Sequence, residues 1–287
     1  MMPRKLPSFF ALALFLAAAV PLAAADIRFE LGFGWTLVGP FMNASYVNRY
    51  QPALSPPDRY VASSADQTVH FNAKTTYGMN GFFNVLFTEN IGLQVLADYH
   101  RPGIGGTNAP YNVAMQFLAF NDVPETYSRA IDWQNSAGNL TETMFSLNAL
   151  ARFRVADNLS LSVSAGPSIF HFDGKAGHIG YTYFNLALVD GVYQLTGGTY
   201  RMVVAFGPES KYGMNLGIEA AYEAFRHVIL ALDLRWYGAA KAALPLHIVE
   251  DAIITVPIDQ IEQTIGLGSL NVNPSCIRAG LAIRFVF

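Results

Sequence analysis

From Ile27 to Leu37 the chain alternates without a break. Large apolar side chains stand at 27, 29, 31, 33, 35 and 37, and charge, glycine or threonine stands at 28, 30, 32, 34 and 36. A period of two is the mark of an extended strand with two unlike faces. One wholly apolar face kept for about eleven residues is the length a tilted strand needs to cross a bilayer, and few half-buried soluble strands are so long and regular. The alternation returns in segments 75–87, 91–99, 145–155, 159–170, 212–222, 228–236 and 277–287. A bilayer offers no water to backbone N–H and C=O groups, so spanning strands must close on themselves. The pattern predicts an all-β fold: a closed antiparallel transmembrane β-barrel of eight strands.

The connections sort into two kinds. Segments 88–90, 156–158 and 224–227 are tight, whereas 38–70, 101–142, 171–210 and 238–275 are long, and short and long alternate strictly. This is the arrangement of outer-membrane barrels, with short periplasmic turns at one end and large extracellular loops at the other. Within the third long connection, Asp190-Gly191 between apolar, β-favouring runs reads as a hairpin. With Tyr200 to Phe206 as a further strand, that hairpin makes a ten-stranded barrel the alternative. The long connections also hold Met115 to Phe120 and the run Ile248, Val249, Ile253, Ile254, Val256, Ile258 and Ile261. Such content needs cover. It packs on itself as a cap, lines a funnel for an apolar ligand, or faces a partner.

Composition removes other classes. Of the 287 residues 52% are apolar and 14% charged, yet beyond the N-terminus no run of 18 apolar residues is free of Gly, Pro, Asn and charge. A bundle of transmembrane helices is excluded. A formal charge of −3 provides no basic footprint for nucleic acid. Met1 to Ala25, with Arg4 and Lys5 before an apolar core and Ala23-Ala24-Ala25 before Asp26, reads as a secretory signal. That leaves residues 26–287 as a single barrel domain. Cys276, the only cysteine, has no internal disulfide partner and reads as a small residue near the start of the last strand.

The C-terminal segment Ala279 to Phe287 resembles the signal by which outer-membrane barrels address the insertion machinery, a final Phe287 preceded at alternate positions by Phe285, Ile283 and Leu281. The hairpins Phe87 to Tyr99 and Gly217 to Tyr237 are similar to those of OmpW-like barrels. The resemblance covers the strand half of the chain and none of the loops. It implies a small eight-stranded barrel that passes or binds small hydrophobic molecules.

If the apolar faces meet lipid, the opposite faces line the lumen. They carry Arg28, Arg152, Arg154, Arg235, Arg278 and Arg284 against Glu30, Asp98, Glu219, Glu223 and Asp233. An eight-stranded barrel has room for little beyond its own side chains, and ions withdrawn from water must be paired. The expectation is a lumen filled by Arg–carboxylate pairs, either as a plug or as a gate whose pairs exchange. Serines 160, 162, 164 and 168 leave room for the arginines. A Ser/His/Asp hydrolase can be drawn at the rim from His70, His100 and His171 with Asp98 and Ser168, but no nucleophile-elbow or metal-ligand spacing accompanies them. No enzyme activity, catalytic residue, metal or cofactor is expected. The expected partners are outer-membrane lipid, the barrel-assembly machinery during insertion, and a small hydrophobic ligand. The expected place is the outer membrane of a diderm bacterium, with loops extracellular and termini periplasmic. The function so read is a narrow channel or binding protein for small hydrophobic molecules; the alternative is a surface adhesin on a plugged barrel.

Overall fold

The computed structural model describes residues 27–52, 54–55, 57–119, 122–250 and 256–287. The export signal at 1–25, and with it Phe120, Ile253 and Ile254, lies outside the described residues. In chain order the elements are β1 (Arg28–Pro40), β2 (Asn43–Tyr50), β3 (Leu54–Ser55), a 3-10 turn (Pro57–Arg59), β4 (Tyr60–Ala73), β5 (Thr76–Leu86), β6 (Ile91–His100), β7 (Gly103–Gly106), β8 (Tyr111–Leu118) and β9 (Pro124–Ile131). There follow β10 (Ser136–Ala156), β11 (Leu159–Val189), β12 (Val192–Phe225), β13 (Val228–Ala239), β14 (Ala242–Glu250), helix α1 (Ile258–Ile265), β15 (Ser269–Val272) and β16 (Cys276–Val286).

Antiparallel pairings run β1 to β5, β5 to β6, β6 to β10, β10 to β11, β11 to β12, β12 to β13, and β13 to β16. The pairing of β16 with β1, from Glu30 opposite Val286 to Pro40 opposite Cys276, closes the ring. The ring is a closed antiparallel barrel, but among the described residues the hydrogen-bonded sheet as a whole counts sixteen strands. No single strand number describes the molecule. Tyr200 to Phe206 adds no pair to the ring, because it is the middle of the uninterrupted β12.

The outer wall is apolar and uncovered. Along β1, Phe29, Leu31, Phe33, Trp35 and Leu37 are all exposed, while Glu30 and Thr36 between them are buried. The same inversion holds on β13, where Leu230, Leu232, Leu234 and Trp236 face out and Asp233 and Arg235 face in. Water would not tolerate so continuous an apolar surface, whereas hydrocarbon requires it. Trp35, Tyr99, Tyr222, Trp236 and Phe287 are exposed near the strand ends, as interfacial aromatics are.

Tight turns close one end. At the first, the Thr88 hydroxyl accepts from the backbone N–H groups of Asn90 and Ile91. At the other end, the four segments read as long connections are largely folded β-structure. Strands β10, β11 and β12 run on past the barrel, and β11 and β12, at 31 and 34 residues, are about three times the length of a bilayer crossing. They pair to the tip, where Asp190 (φ 50°) and Gly191 (φ 79°) supply the two left-handed residues of a two-residue hairpin. Against them stand β2, β4, β8 and β9, paired in that order, and β14 and β15 beside β12. We call this extension the tower. Its backbone groups are satisfied by strand pairing, and its apolar residues by one another. Val69, Phe71, Met115, Met202, Val204 and Phe206 are essentially inaccessible. Helix α1 seals one side through Ile261 and Ile265, and its Glu262 carboxylate accepts from the Ile248 N–H at 2.6 Å.

The β11–β12 ladder shifts register between Phe172 and Gly174 and again between Lys175 and His178, where the strands leave the barrel for the tower. Each bulge bends and twists its strand.

Candidate functional site

Alternation aims the even-numbered residues of β1, β5, β6, β10, β11 and β16, and the odd-numbered ones of β12 and β13, into the lumen. Their charged groups gather at two levels. Nearer the tight turns, Glu30 is fully buried and receives a two-pronged contact from Arg152, with both N–O distances 2.8 Å. Arg284 Nη1 reaches the same carboxylate at 3.1 Å and Asn84 Nδ2 at 3.0 Å, while Arg284 Nη2 lies 3.1 Å from Glu219. A bidentate guanidinium on a carboxylate is the strongest pairing side chains offer, and here it is out of water.

At the second level Arg278 bridges Asp98 and Asp233, and the Tyr237 hydroxyl donates to Asp98. Arg235 donates to Asp233 at 3.3 Å, to Ser164 at 2.8 Å, to Gln94 at 3.1 Å, and to Asn215. Gly217 makes room for it: a Cβ there would lie 2.5 Å from the guanidinium carbon. Amides carry the second level across the barrel, Asn148 donating to Gln94 at 3.0 Å and Asn215 to Asn148 at 2.7 Å. Arg152, Arg235, Arg278 and Arg284 thus face Glu30, Asp98, Glu219 and Asp233 one for one. All are buried, so an arginine could leave only by stranding a carboxylate in a water-poor interior.

Three residues read from sequence as part of this set stand apart. Arg28 is half-exposed at the rim and touches Glu30 at 3.2 Å. Arg154 is exposed and donates to the Asp157 carbonyl in the tight turn, and Glu223 is exposed as well. Both sit where the strands end and side chains reach water. The uncharged partners Gln94, Asn148, Asn215 and Tyr237 lie outside the charged set, and their inward parity is the sequence signal that marks them. Ser164 and Ser162 do more than leave space, since Ser162 accepts from Arg152 at 3.4 Å.

Above the second level the lumen turns apolar. Phe170 and Phe172 stack, with centroids 6.0 Å apart, Tyr237 meets Phe170 edge-on, and Met144 and Leu96 are buried with them. His100 and Glu142, both buried, approach to 2.5 Å beside this layer without the alignment of a regular hydrogen bond. The drawn hydrolase is not assembled. Ser168 is held inside by Ser146 and Asn215, Asp98 is held by Arg278, and His171 faces outward to Ser210 at 3.0 Å. Among the described residues no cluster of three metal-ligating side chains occurs.

The tower has a polar knot in its apolar core. Tyr50 and Tyr111 hydroxyls meet at 2.6 Å, Tyr111 reaches Thr182 Oγ1 at 2.8 Å, and the Thr182 N–H donates to Tyr50 at 2.5 Å. Burial pushes the Tyr111 phenol up to about 12 and raises Tyr50 as well. Leu281, Ile283 and Phe285 lie on the outward face of β16, with Phe285 against Phe33 at 6.1 Å, and Phe287 follows its end, exposed. One wall groove, about 440 Å³, opens on that outer surface where Gly81 and Ala97 stand side by side between Phe33 and Phe145.

No protein-family model and no curated protein matches the chain. Solved structures similar to it include the outer membrane protein OprG from Pseudomonas aeruginosa, at 8% identity and a TM-score of 0.47, over 93% of this chain and 98% of that one. The outer membrane protease OmpT from Escherichia coli is similar at 10% identity and a TM-score of 0.39, over 93% and 100%. Ail, the attachment invasion locus protein of Yersinia pestis, is similar at 10% identity and a TM-score of 0.35, over 91% and 98%. Likeness at this level transfers no residue role. By its own closed ring, uncovered apolar wall and ion-paired interior, the chain is a transmembrane β-barrel of the outer-membrane type.

Proposed function

We propose that the barrel is a plugged anchor and the tower its working part, displayed at the outer surface of an outer membrane with the tight turns in the periplasm. The observation that carries this reading is the lumen: Arg278 and Arg284 are 1% and 0% exposed and are held by carboxylates on other strands, under a buried aromatic layer. Passage would require several buried ion pairs to part together, each parting costing several kcal/mol. The tower supports the same reading, because a rigid, cored structure this large exceeds what capping a narrow barrel requires. Leu281, Ile283, Phe285 and Phe287 are the segment offered to the assembly machinery.

A second reading rests on the wall groove. Its Phe33, Trp35, Met79 and Tyr99 border would hold a small hydrophobic molecule at the lipid face without opening the lumen.

Two measurements test display on a plugged anchor. Refolded protein in planar bilayers is expected to give no stable conductance steps; porin-like steps overturn the plug. Gln194→Cys, exposed near the tip, is expected to react with a membrane-impermeant maleimide on intact cells, since Cys276 is buried. Labelling only after lysis overturns surface display.

A further inference from the structure

A cleft of about 320 Å³ opens in the tower between β9 and the distal parts of β11 and β12. Its contents differ from the core beside it. Tyr127 from β9 is half-buried and held upright by an edge contact with Phe184, centroids 5.7 Å apart at 73°. Thr182 and Thr199 hydroxyls meet at 2.9 Å at its floor, and Thr196 donates to the Asn185 carbonyl at 2.9 Å, which leaves its lone pairs free. Arg129, exposed at the cleft, has no ion-pair or hydrogen-bond partner among the described residues. This guanidinium contrasts with Arg59, paired with Asp122 at 2.6 Å, and with Arg201, bonded to Gln134 and lying over Trp133.

We propose that this cleft binds an anionic sugar. A pyranose has an apolar C–H face, which an aromatic ring accepts, and a rim of hydroxyls, which donate to threonine oxygens and to backbone carbonyls. A carboxylate or phosphate on the ring supplies the oxygens that a guanidinium fork matches. The volume lies at the small end of ligand sites, suited to one or two rings. A fatty chain would press hydrocarbon on the Arg129 guanidinium, which would lose water and gain no partner. The assignment deepens the display reading and rests on it for its biological sense, but its chemistry stands on the cleft alone.

The test is calorimetric titration of the purified, refolded full barrel with glucuronate, glucose 6-phosphate, glucose, and an acidic pentapeptide. Glucuronate or the phosphate is expected to bind, the better of the two naming the anion. Glucose is expected to bind at least tenfold more weakly, and Arg129→Gln to lose about tenfold for the anions and little for glucose. Thr196→Val, on an exposed side chain, is expected to weaken all sugars a few-fold. Retained heat-modifiable migration on gels certifies that each variant is folded. No saccharide binding by folded protein, anion binding indifferent to Arg129→Gln, or binding of the peptide alone overturns the proposal. Because the protein is purified, the result does not depend on which side of the membrane the tower faces. A flat titration sinks the cleft, whereas failed labelling of intact cells sinks display.

Discussion

Along one face of β11, Ser160, Ser162, Ser164 and Ser168 give way to Phe170 and Phe172; along the other, Leu161, Val163 and Ile169 give way to His171, Asp173 and Lys175. The backbone continues and the two faces exchange character. β10 does the same, with Arg152, Asn148 and Ser146 inside the barrel and Met144 and Leu140 inside at its upper end. Below the exchange the wall meets hydrocarbon and the interior holds ions; above it the wall meets water and the interior holds a core. One sheet thus obeys two opposite burial rules, and the medium outside decides which one applies. The structural devices at the changeover are the two bulges of the β11–β12 ladder, the first on β12 and the second on β11, and the aromatic layer they follow.

Four perturbations break or sharpen this comparison. The largest effect is expected for Arg278→Ala, which leaves Asp98 buried without a cation and Asp233 with Arg235 alone; urea titration in lipid vesicles should show a loss of about 3–5 kcal/mol. An unchanged midpoint would mean that the paired ions do not hold the barrel. Phe206→Ala, in the tower core, should cost about 3 kcal/mol, and limited proteolysis should cut the tower while the barrel survives. Simultaneous loss of both would make them one cooperative unit. The third is a matched pair: Leu232 on the barrel wall and Leu188 on the tower are 59% and 61% exposed. Leu232→Arg should cost about 2–4 kcal/mol in a bilayer and Leu188→Arg less than about 0.5 kcal/mol. Equal costs would deny that the two surfaces meet different media.

The smallest effect is alkaline. Tyr111 is pushed up to about 12 and Tyr50 is raised, so the folded tower keeps protons that the unfolded chain releases near pH 10. Tower stability should therefore be flat below pH 10 and fall above it, by about 1.4 kcal/mol per pH unit for each tyrosine. Hydrogen exchange of β8 and β11 amides across pH 9–11, corrected for base catalysis, measures this. Tyr111→Phe should flatten the response, and an unaltered slope would remove the tyrosine pair as its cause.

The barrel was legible in the sequence because lipid-facing strands repeat one signal. Leu31-Gly32-Phe33-Gly34-Trp35 carries it in five residues, and the short-long alternation of connections supplied the topology. Of the tower only the tip hairpin at Asp190-Gly191 and the need of its apolar runs for cover were legible, although Ala65, Gln67, Val69 and Phe71 alternate by the same rule. A period of two reports two faces and says nothing about which is inside, so the pattern was readable without its meaning. The charged set was legible by parity, and the errors fall at Arg154 and Glu223, where parity continues past the end of the closed ring. The tower cleft was out of reach, because Tyr127, Arg129 and Thr196 come together only through the pairing of β8 with β9 and of β11 with β12.

The hairpin that ends at Asp190 and Gly191 begins in the barrel, with Leu159 opposite Tyr222. A pull on the tip therefore draws β11 and β12 together and shears their ladders with β10 and β13, where many hydrogen bonds share the force. The tower is less a flag on a hinge than a lever cut from the wall itself. The β11–β12 register is interrupted only at the two bulges, so the load crosses from tower to barrel along two continuous strands.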